Sequence, residues 1–103
     1  MTTALHDSDL ERLLATPKAV LKFWAPWCGP CKAMNPVVDQ VAAHHDGVEF
    51  FSINVDEEPK LAMRFGVRSL PTLMGVKTGD VAFTQVGLTD ARTLNNAVQS
   101  RLI

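Results

Sequence analysis

The stretch "LKFWAPWCGPCK", residues 21–32, decides both the fold and the chemistry of this chain. Its first half belongs to "AVLKFWA", residues 19–25, whose β-branched and aromatic residues and nearly continuous apolarity predict a strand buried on both faces. From Gly29 onward, apolar residues recur every three or four positions, which predicts a helix that ends near Asp46–Gly47. Two cysteines, Cys28 and Cys31, therefore lie at a strand-to-helix junction.

The rest of the chain alternates between strand and helix patterns. The other predicted elements, in chain order, are a helix over 8–15 with a Ser8–Glu11 capping box, a strand over 48–55, a helix over 57–65 capped by Asp56 and closed by Gly66, two strands joined by Thr78–Gly79–Asp80, and a last helix capped by Thr89. Pro36 predicts a bend in the helix after the cysteines. This order predicts an α/β fold: a central mixed sheet with helices on both faces.

Length and composition favour one soluble domain over residues 1–103. The chain is 47% hydrophobic and 20% charged, and 10 basic residues face 11 acidic ones, so neither nucleic acid nor a membrane surface is an expected partner. The N-terminal residues lack the pattern of a secretory signal, and the expected location is the cytoplasm. A structural disulfide is unusual in a reducing compartment, which leaves the cysteine pair to metal binding or catalysis.

Zinc is one alternative for the pair, because Cys28, Cys31 and His44 match the opening of a C-x2-C-x12-H finger. That pattern needs a second histidine three to five residues later, where 48–50 hold Val, Glu and Phe. His45 points about 100° round a helix from His44. We therefore expect no metal, and both histidines are expected in a solvated helical turn.

Thiol–disulfide exchange explains the junction better. A thiol at a helix N-terminus faces unpaired N–H groups and the positive end of the helix dipole, which stabilise the thiolate. Cys28 has this position and is expected to be exposed, while Cys31 lies one turn further on the same side. One thiolate can attack a substrate disulfide and the other can release the product. Such a pair needs no cofactor beyond its own redox-active disulfide.

The motif and its surroundings resemble the thioredoxin family. The similarity runs from "FWAPWCGPCK" through "NPVVDQVA", "INVDEEPKLAMRFGVRSLPTL", "KTGDV" and "QVGLTD" to the terminal helix, although the first strand of that family is poorly marked here. The resemblance implies that Cys28 is the nucleophile and Cys31 the resolving cysteine of a protein-disulfide reductase. It implies a monomer that is reduced by a thioredoxin reductase-type electron donor and that acts on client proteins with disulfides. Gly29 and Pro30, between the cysteines, resemble the reducing branch of the family and modulate the pair.

The same resemblance implies a substrate surface. Leu70–Pro71 is expected to be a cis peptide facing the cysteines, with Pro71 both modulating the pair and contacting substrate. The other expected substrate-binding residues are Trp27, Ser69, Leu70, Val86, Gly87 and Leu88. Trp27 is expected to be partly exposed, and Trp24 to support the active-site segment from within.

Lys22 departs from the family pattern. Family members usually place a buried aspartate at this position and often a lysine at the position of Ser52, so the role of that carboxylate cannot be transferred. Three outcomes are open: a charged Lys22 stabilises a thiolate, a desolvated neutral amine accepts the Cys31 proton, or the side chain extends to the rim. Our hypothesis is that Lys22 modulates the pair toward a more oxidising balance.

Two other functions remain possible at this level. One is a specialised oxidoreductase with an atypical redox balance and few clients. The other is a thioredoxin-shaped binding subunit whose cysteines are incidental, and whose function would survive the loss of both thiols.

Overall fold

The structure, a computed structural model, describes residues 2–103. Within that range, the chain forms five strands and four α-helices. The elements are β1 (Thr3–Ala4), a 3-10 turn (Asp7–Asp9), α1 (Leu10–Ala15), β2 (Ala19–Trp24), α2 (Gly29–Ala42), β3 (Glu49–Asn54), α3 (Pro59–Arg64), β4 (Thr72–Lys77), β5 (Asp80–Val86) and α4 (Ala91–Arg101). No helix in this part of the chain combines the length and the apolarity needed to cross a bilayer.

The strands form one mixed sheet in the order β1-β3-β2-β4-β5. Strand β2 lies at the centre of the sheet, as its continuous apolarity predicts. It pairs in parallel with β3 and antiparallel with β4. The first strand has only two residues, in agreement with its weak sequence pattern. The predicted α/β architecture is confirmed.

Alternate side chains of β2 point to opposite faces of the sheet and enter two separate cores. Leu21 and Phe23 pack with Leu13 of α1 and Leu61 of α3. On the other face, Val20 packs with a cluster from α2, α4, β3 and β4 that includes Met34, Val38, Val41, Phe50, Leu73, Leu94, Val98 and Leu102. The side chain of Lys22 points to this second face, where it contacts the middle of α2.

The predicted helix starts are wrong in detail. The first helix does not begin with a Ser8–Glu11 capping box: a 3-10 turn comes first, and the Asp9 carboxylate accepts the N–H of His6 at 2.9 Å. The last helix is capped by Asp90, whose carboxylate accepts the N–H of Thr93 at 2.8 Å, and not by Thr89. In both places an aspartate close to the predicted cap provides the acceptor.

The cap of α3 comes from a distant part of the chain. Helix α3 begins at Pro59, and the Asp7 carboxylate accepts the N–H groups of Lys60 and Leu61 at 3.2 and 2.8 Å. Asp56 does not have the capping role that the local sequence predicts, because a tertiary contact supplies the acceptors. Gly66 does close this helix, with a positive φ of 67°.

The long helix and the hairpin also differ slightly from expectation. Helix α2 ends at Ala42, about one turn before the predicted end, and Pro36 lies inside it, while the bend at that proline stays a prediction. Between β4 and β5 the chain turns at Thr78 and Gly79, both with positive φ. The predicted hairpin is confirmed, with Asp80 as the first residue of β5.

Candidate active site

The two cysteines occupy the N-terminal end of α2. Cys28 is the N-cap residue, with an extended backbone, and its Sγ accepts the N–H of Cys31 at 3.2 Å. Gly29 and Pro30 form the start of the helix, where proline's missing N–H leaves no intrahelical bond unmade. The sulfurs of Cys28 and Cys31 are joined in a disulfide, with 5.4 Å between the Cα atoms.

The disulfide is more covered than the sequence suggests. Cys28 is 5% exposed and Cys31 1%, and both pack against Ala25 with Trp24 and Leu70 at the edge of the cluster. The expectation of an exposed Cys28 is therefore wrong for the oxidised state, because its sulfur is bonded to one neighbour and covered by others. Cys28 is still the more accessible of the two.

The segment before β4 lies against the disulfide. The Leu70–Pro71 peptide bond is cis, as the resemblance implies. Leu70 packs against the cysteine cluster, and the carbonyl of Ser69 accepts the hydroxyl of Thr72 at 2.6 Å. The N–H of Gly87 donates to the carbonyl of Pro71 at 2.9 Å, which joins this segment to the end of β5.

Exposed apolar side chains surround this segment. Trp27 is 70% exposed, and Val86 and Leu88 also face solvent. The Trp27 Nε1–H donates to Asp56 Oδ2 at 3.0 Å, which fixes the orientation of the indole. The predicted exposure of Trp27 is confirmed, and Trp24 packs against the cysteine cluster as expected. Nothing in the local pattern pointed to Asp56 as the partner of Trp27.

Lys22 is buried at 6% exposure, directly across from Ser52 in the sheet register. It lines a cleft of about 570 Å³ that is also bordered by Cys31, Trp24 and Ser52. The Lys22 Nζ donates a hydrogen bond to Oδ1 of Asn35. Most of the side chain is therefore buried, while its ammonium binds an exposed residue, and the choice among the three predicted outcomes stays a prediction. Asn35 was missed, although its position four residues after Cys31 places it on the same helical face.

Two opposing effects act on the Lys22 ammonium. Burial lowers the pKa of Lys22 below its ordinary value, because the charged form loses solvation. The Asp39 carboxylate acts in the other direction and raises the Lys22 pKa. The ammonium also lies 6.0 Å from the centre of the Trp24 ring, a position in which the aromatic face favours a cation.

The two histidines after α2 are not equivalent. His44 is exposed, as expected, but His45 is buried, and its Nε2 lies 2.6 Å from Oδ1 of Asn95 in α4. The expectation that His45 is solvated is wrong, because α4 packs over the end of α2. Within residues 2–103, no three His, Cys, Asp or Glu side chains are grouped as metal ligands would be.

Comparisons with known proteins agree with this geometry. The family model described as thioredoxin matches residues 1–100. Thioredoxin of Haemophilus influenzae is 40% identical over 107 residues, covering 99% of this chain and all of that protein. Thioredoxin 1 of Synechococcus elongatus is 42% identical over 105 residues, covering 99% of this chain and 98% of that protein.

Among solved structures, this chain is similar to one from a study of the structural basis of the thiol resolving mechanism in yeast mitochondrial 1-Cys peroxiredoxin via glutathione/thioredoxin systems. Its TM-score is 0.87 at 28% sequence identity, covering 96% of this chain and 94% of that chain. The fold and the cysteine pair thus define a thiol–disulfide oxidoreductase acting on protein disulfides. The chain belongs to the thioredoxin family.

Proposed function

We propose that this chain is a general protein-disulfide reductase in which Cys28 is the nucleophile and Cys31 the resolving residue. The observation that carries the proposal is the position of Cys28 as the N-cap of α2, with its sulfur facing the N–H of Cys31. The helix dipole and these N–H groups favour negative charge on this sulfur when the disulfide is open. Cys31 lies deeper and is in bonding range of Cys28, which suits attack on an intermediate but not on a client.

The reaction proceeds in two exchanges that balance in sulfur and electrons. The Cys28 thiolate attacks one sulfur of the client disulfide; the client S–S bond breaks, and the other client sulfur leaves as a thiolate and is protonated. The Cys31 thiolate then attacks Cys28, which forms the Cys28–Cys31 disulfide and releases the second client thiolate. The client gains two electrons, and a thioredoxin reductase-type donor returns them to this chain.

The client surface in this proposal is the apolar rim around the disulfide. It is formed by Trp27, Ser69, Leu70, Pro71, Val86, Gly87 and Leu88. Large exposed apolar side chains next to a reactive pair favour contact with an extended client segment. Gly29, Pro30 and Pro71 shape the pair, with no chemical step of their own.

The molecular setting is also part of the proposal. We propose a monomer that works in the cytoplasm, where a thiol reductant is kept reduced. The net charge of −1 supports client proteins, and not nucleic acid or an anionic membrane, as partners. Cell fractionation with an antibody to this chain, together with sedimentation of the purified protein, tests location and oligomeric state.

Capture of clients tests the roles of the cysteines most directly. Cys31→Ser should retain client proteins as mixed disulfides from a cell extract, whereas Cys28→Ser, the matched control, should retain far fewer. The wild-type protein should accelerate the reduction of insulin by dithiothreitol, measured as turbidity, and both variants should lose this activity. Equal trapping by the two variants would contradict the assigned roles. A very small set of captured proteins would favour a specialised reductase.

A further inference from the structure

The Lys22 ammonium has no part in the exchange steps described above. It comes from the middle of the central strand, is buried, and lines the same cleft as Cys31. Lysine is rarely buried to this degree without a compensating partner, because loss of hydration destabilises its charge. Its hydrogen-bond partner is the Asn35 side-chain oxygen. A buried cation next to a redox pair acts on whichever neighbour changes charge during the reaction.

Helix α2 presents three polar groups in a row to this cation. Cys31, Asn35 and Asp39 are spaced four residues apart, so they lie on successive turns of one helical face, about 6 Å apart along the axis. All three border the cleft that contains Lys22. The resolving thiol therefore lies one turn from the amide that holds the Lys22 ammonium.

Burial lowers the pKa of Lys22, but three groups around the side chain favour its charged form. The Asn35 oxygen accepts from the ammonium, and the Asp39 carboxylate favours the cation from one turn further along α2. The Trp24 ring also favours a cation. The other charged group bordering the cleft is Lys32 of α2, while Thr2 before β1 and Ser52 of β3 are uncharged. Burial opposes these effects, but Lys32, Asn35 and Asp39, which line the cleft, are exposed, so the cleft borders solvent.

We propose that Lys22, held in place by Asn35, is the cation that stabilises the thiolate of Cys31 and thereby makes this protein more oxidising than it would be without it. Cys31 carries negative charge only in the reduced protein, after its proton has passed to water in the cleft. The disulfide is neutral. The ammonium therefore stabilises the dithiol form over the disulfide form and prepares Cys31 for its attack on Cys28. This step depends on the resolving role proposed for Cys31.

A pH series of the redox equilibrium with glutathione tests this inference. At pH 8, Lys22→Met should shift the equilibrium about tenfold toward the disulfide, which corresponds to about 30 mV for a two-electron couple. The shift should shrink toward pH 5, far below the ordinary thiol pKa of about 8.5, because protonation of Cys31 removes the charge on which the cation acts. Thiolate absorbance should show that a cysteine of the reduced variant titrates at higher pH than in the wild type.

The matched control is Lys32→Met, which removes the same charge from an exposed side chain on the same cleft. Water screens that charge, so the equilibrium should change little. A second variant, Asn35→Asp, places a carboxylate against the ammonium and should shift the equilibrium in the same direction as Lys22→Met. Because Asn35 is exposed, this variant keeps the inference testable even if Lys22→Met fails to fold.

Two results would overturn the inference: a shift for Lys22→Met no larger than that for Lys32→Met, or a shift of constant size from pH 5 to pH 8. A purely structural role of Lys22 would give the second result. The titration needs no client protein, so its outcome is separate from the client-capture experiment. Failure of the client-capture experiment would contradict the assigned cysteine roles but would not change the result of the redox titration.

Discussion

Asp7 and Leu61 lie 54 positions apart in the sequence, and the Asp7 carboxylate accepts the N–H of Leu61 at 2.8 Å. The same carboxylate accepts the N–H of Lys60, so it satisfies two donors at the start of α3. We expect Asp7→Ala to lower the free energy of unfolding by about 1 kcal/mol, because a helix cap is lost. Urea denaturation measures this change. The exposed Asp46, changed to Ala, is the control and should have little effect.

A second contact joins the same two segments: the Glu58 carboxylate binds His6 and the N–H of Asp7. This contact makes the stability of the fold depend on pH. His6 Nδ1 lies 2.8 Å from Glu58 Oε2, and Glu58 Oε1 accepts the N–H of Asp7 at 2.9 Å. The hydrogen bond and charge of Glu58 raise the pKa of His6 above 6.5. The hydrogen bonds from His6 and from the Asp7 N–H lower the pKa of Glu58 below 4.5.

These shifts define the pH range in which the pair stabilises the fold. The raised His6 pKa contributes stability that is complete below pH 6.5 and is lost as pH rises through the folded-state pKa. The lowered Glu58 pKa contributes stability above pH 4.5 that is lost as pH falls through its folded-state pKa. The contribution should therefore be largest between about pH 4.5 and 6.5.

Replacing His6 with Gln should remove this dependence. The difference in melting temperature between wild type and His6→Gln should be greatest in the window above and should decrease on both sides. His44→Gln removes an exposed histidine and is the control. A difference that stays constant from pH 4 to pH 8 would show that the His6–Glu58 pair does not titrate as described.

Gly75 of β4 leaves the space that the ring of Phe83 on β5 occupies. The two residues are register partners, and a Cβ atom at Gly75 would overlap the Phe83 ring. We expect Gly75→Ala to lower the free energy of unfolding by about 1 to 3 kcal/mol, since the ring must move out of its packed position. Gly47→Ala is a matched control, because no heavy atom lies within 4 Å of its added Cβ. Denaturation of both variants under the same conditions makes the comparison, and equal losses would contradict the overlap.

The fold and the cysteine site could be predicted from the sequence because their signals are local. The apolar run over 19–25 and the helical spacing after Gly29 place Cys28 at a helix N-terminus without any tertiary information. The cap of α3 could not be predicted, because Asp7 is distant in sequence and competes with Asp56, which has the better local position. Asp56 instead binds the Trp27 indole.

The surroundings of Lys22 show the same limit. The sequence indicates that a lysine interrupts a buried strand, but not where its ammonium finds a partner. That partner, Asn35, lies on α2, and only the packing of α2 against β2 brings the two side chains together. The burial of His45 under α4 is likewise a consequence of helix packing.

Trp27 offers a test of the proposed client surface. Its indole is exposed and is fixed by the hydrogen bond to Asp56. Because exposed aromatic side chains contribute strongly to protein contacts, Trp27→Ala should slow insulin reduction about tenfold. Trp27→Phe should retain much of the rate. Met63→Ala removes an exposed apolar side chain on α3, outside the proposed surface, and should leave the rate unchanged. Equal rates for Trp27→Ala and Met63→Ala would contradict the assignment.

Lys22 should also be a source of instability in the fold. Its burial disfavours the ammonium, so Lys22→Met, which keeps most of the side-chain volume, should raise the free energy of unfolding by about 1 kcal/mol. This expected gain is at the low end for removal of a buried charge, because the cleft borders solvent. In addition, the Asn35 side chain can bind water in the variant.

The pH dependence distinguishes this effect from packing. Since the pKa of Lys22 is lowered by burial, the wild type should gain stability as pH rises from the folded-state pKa toward 10.5, where the unfolded lysine also loses its proton. The advantage of Lys22→Met in urea denaturation should therefore decrease as pH approaches 10.5, while Lys32→Met should show no such trend. If Lys22→Met is less stable than wild type at pH 7, the lysine stabilises the fold through its contacts with Asn35 and Asp39 more than its burial destabilises it.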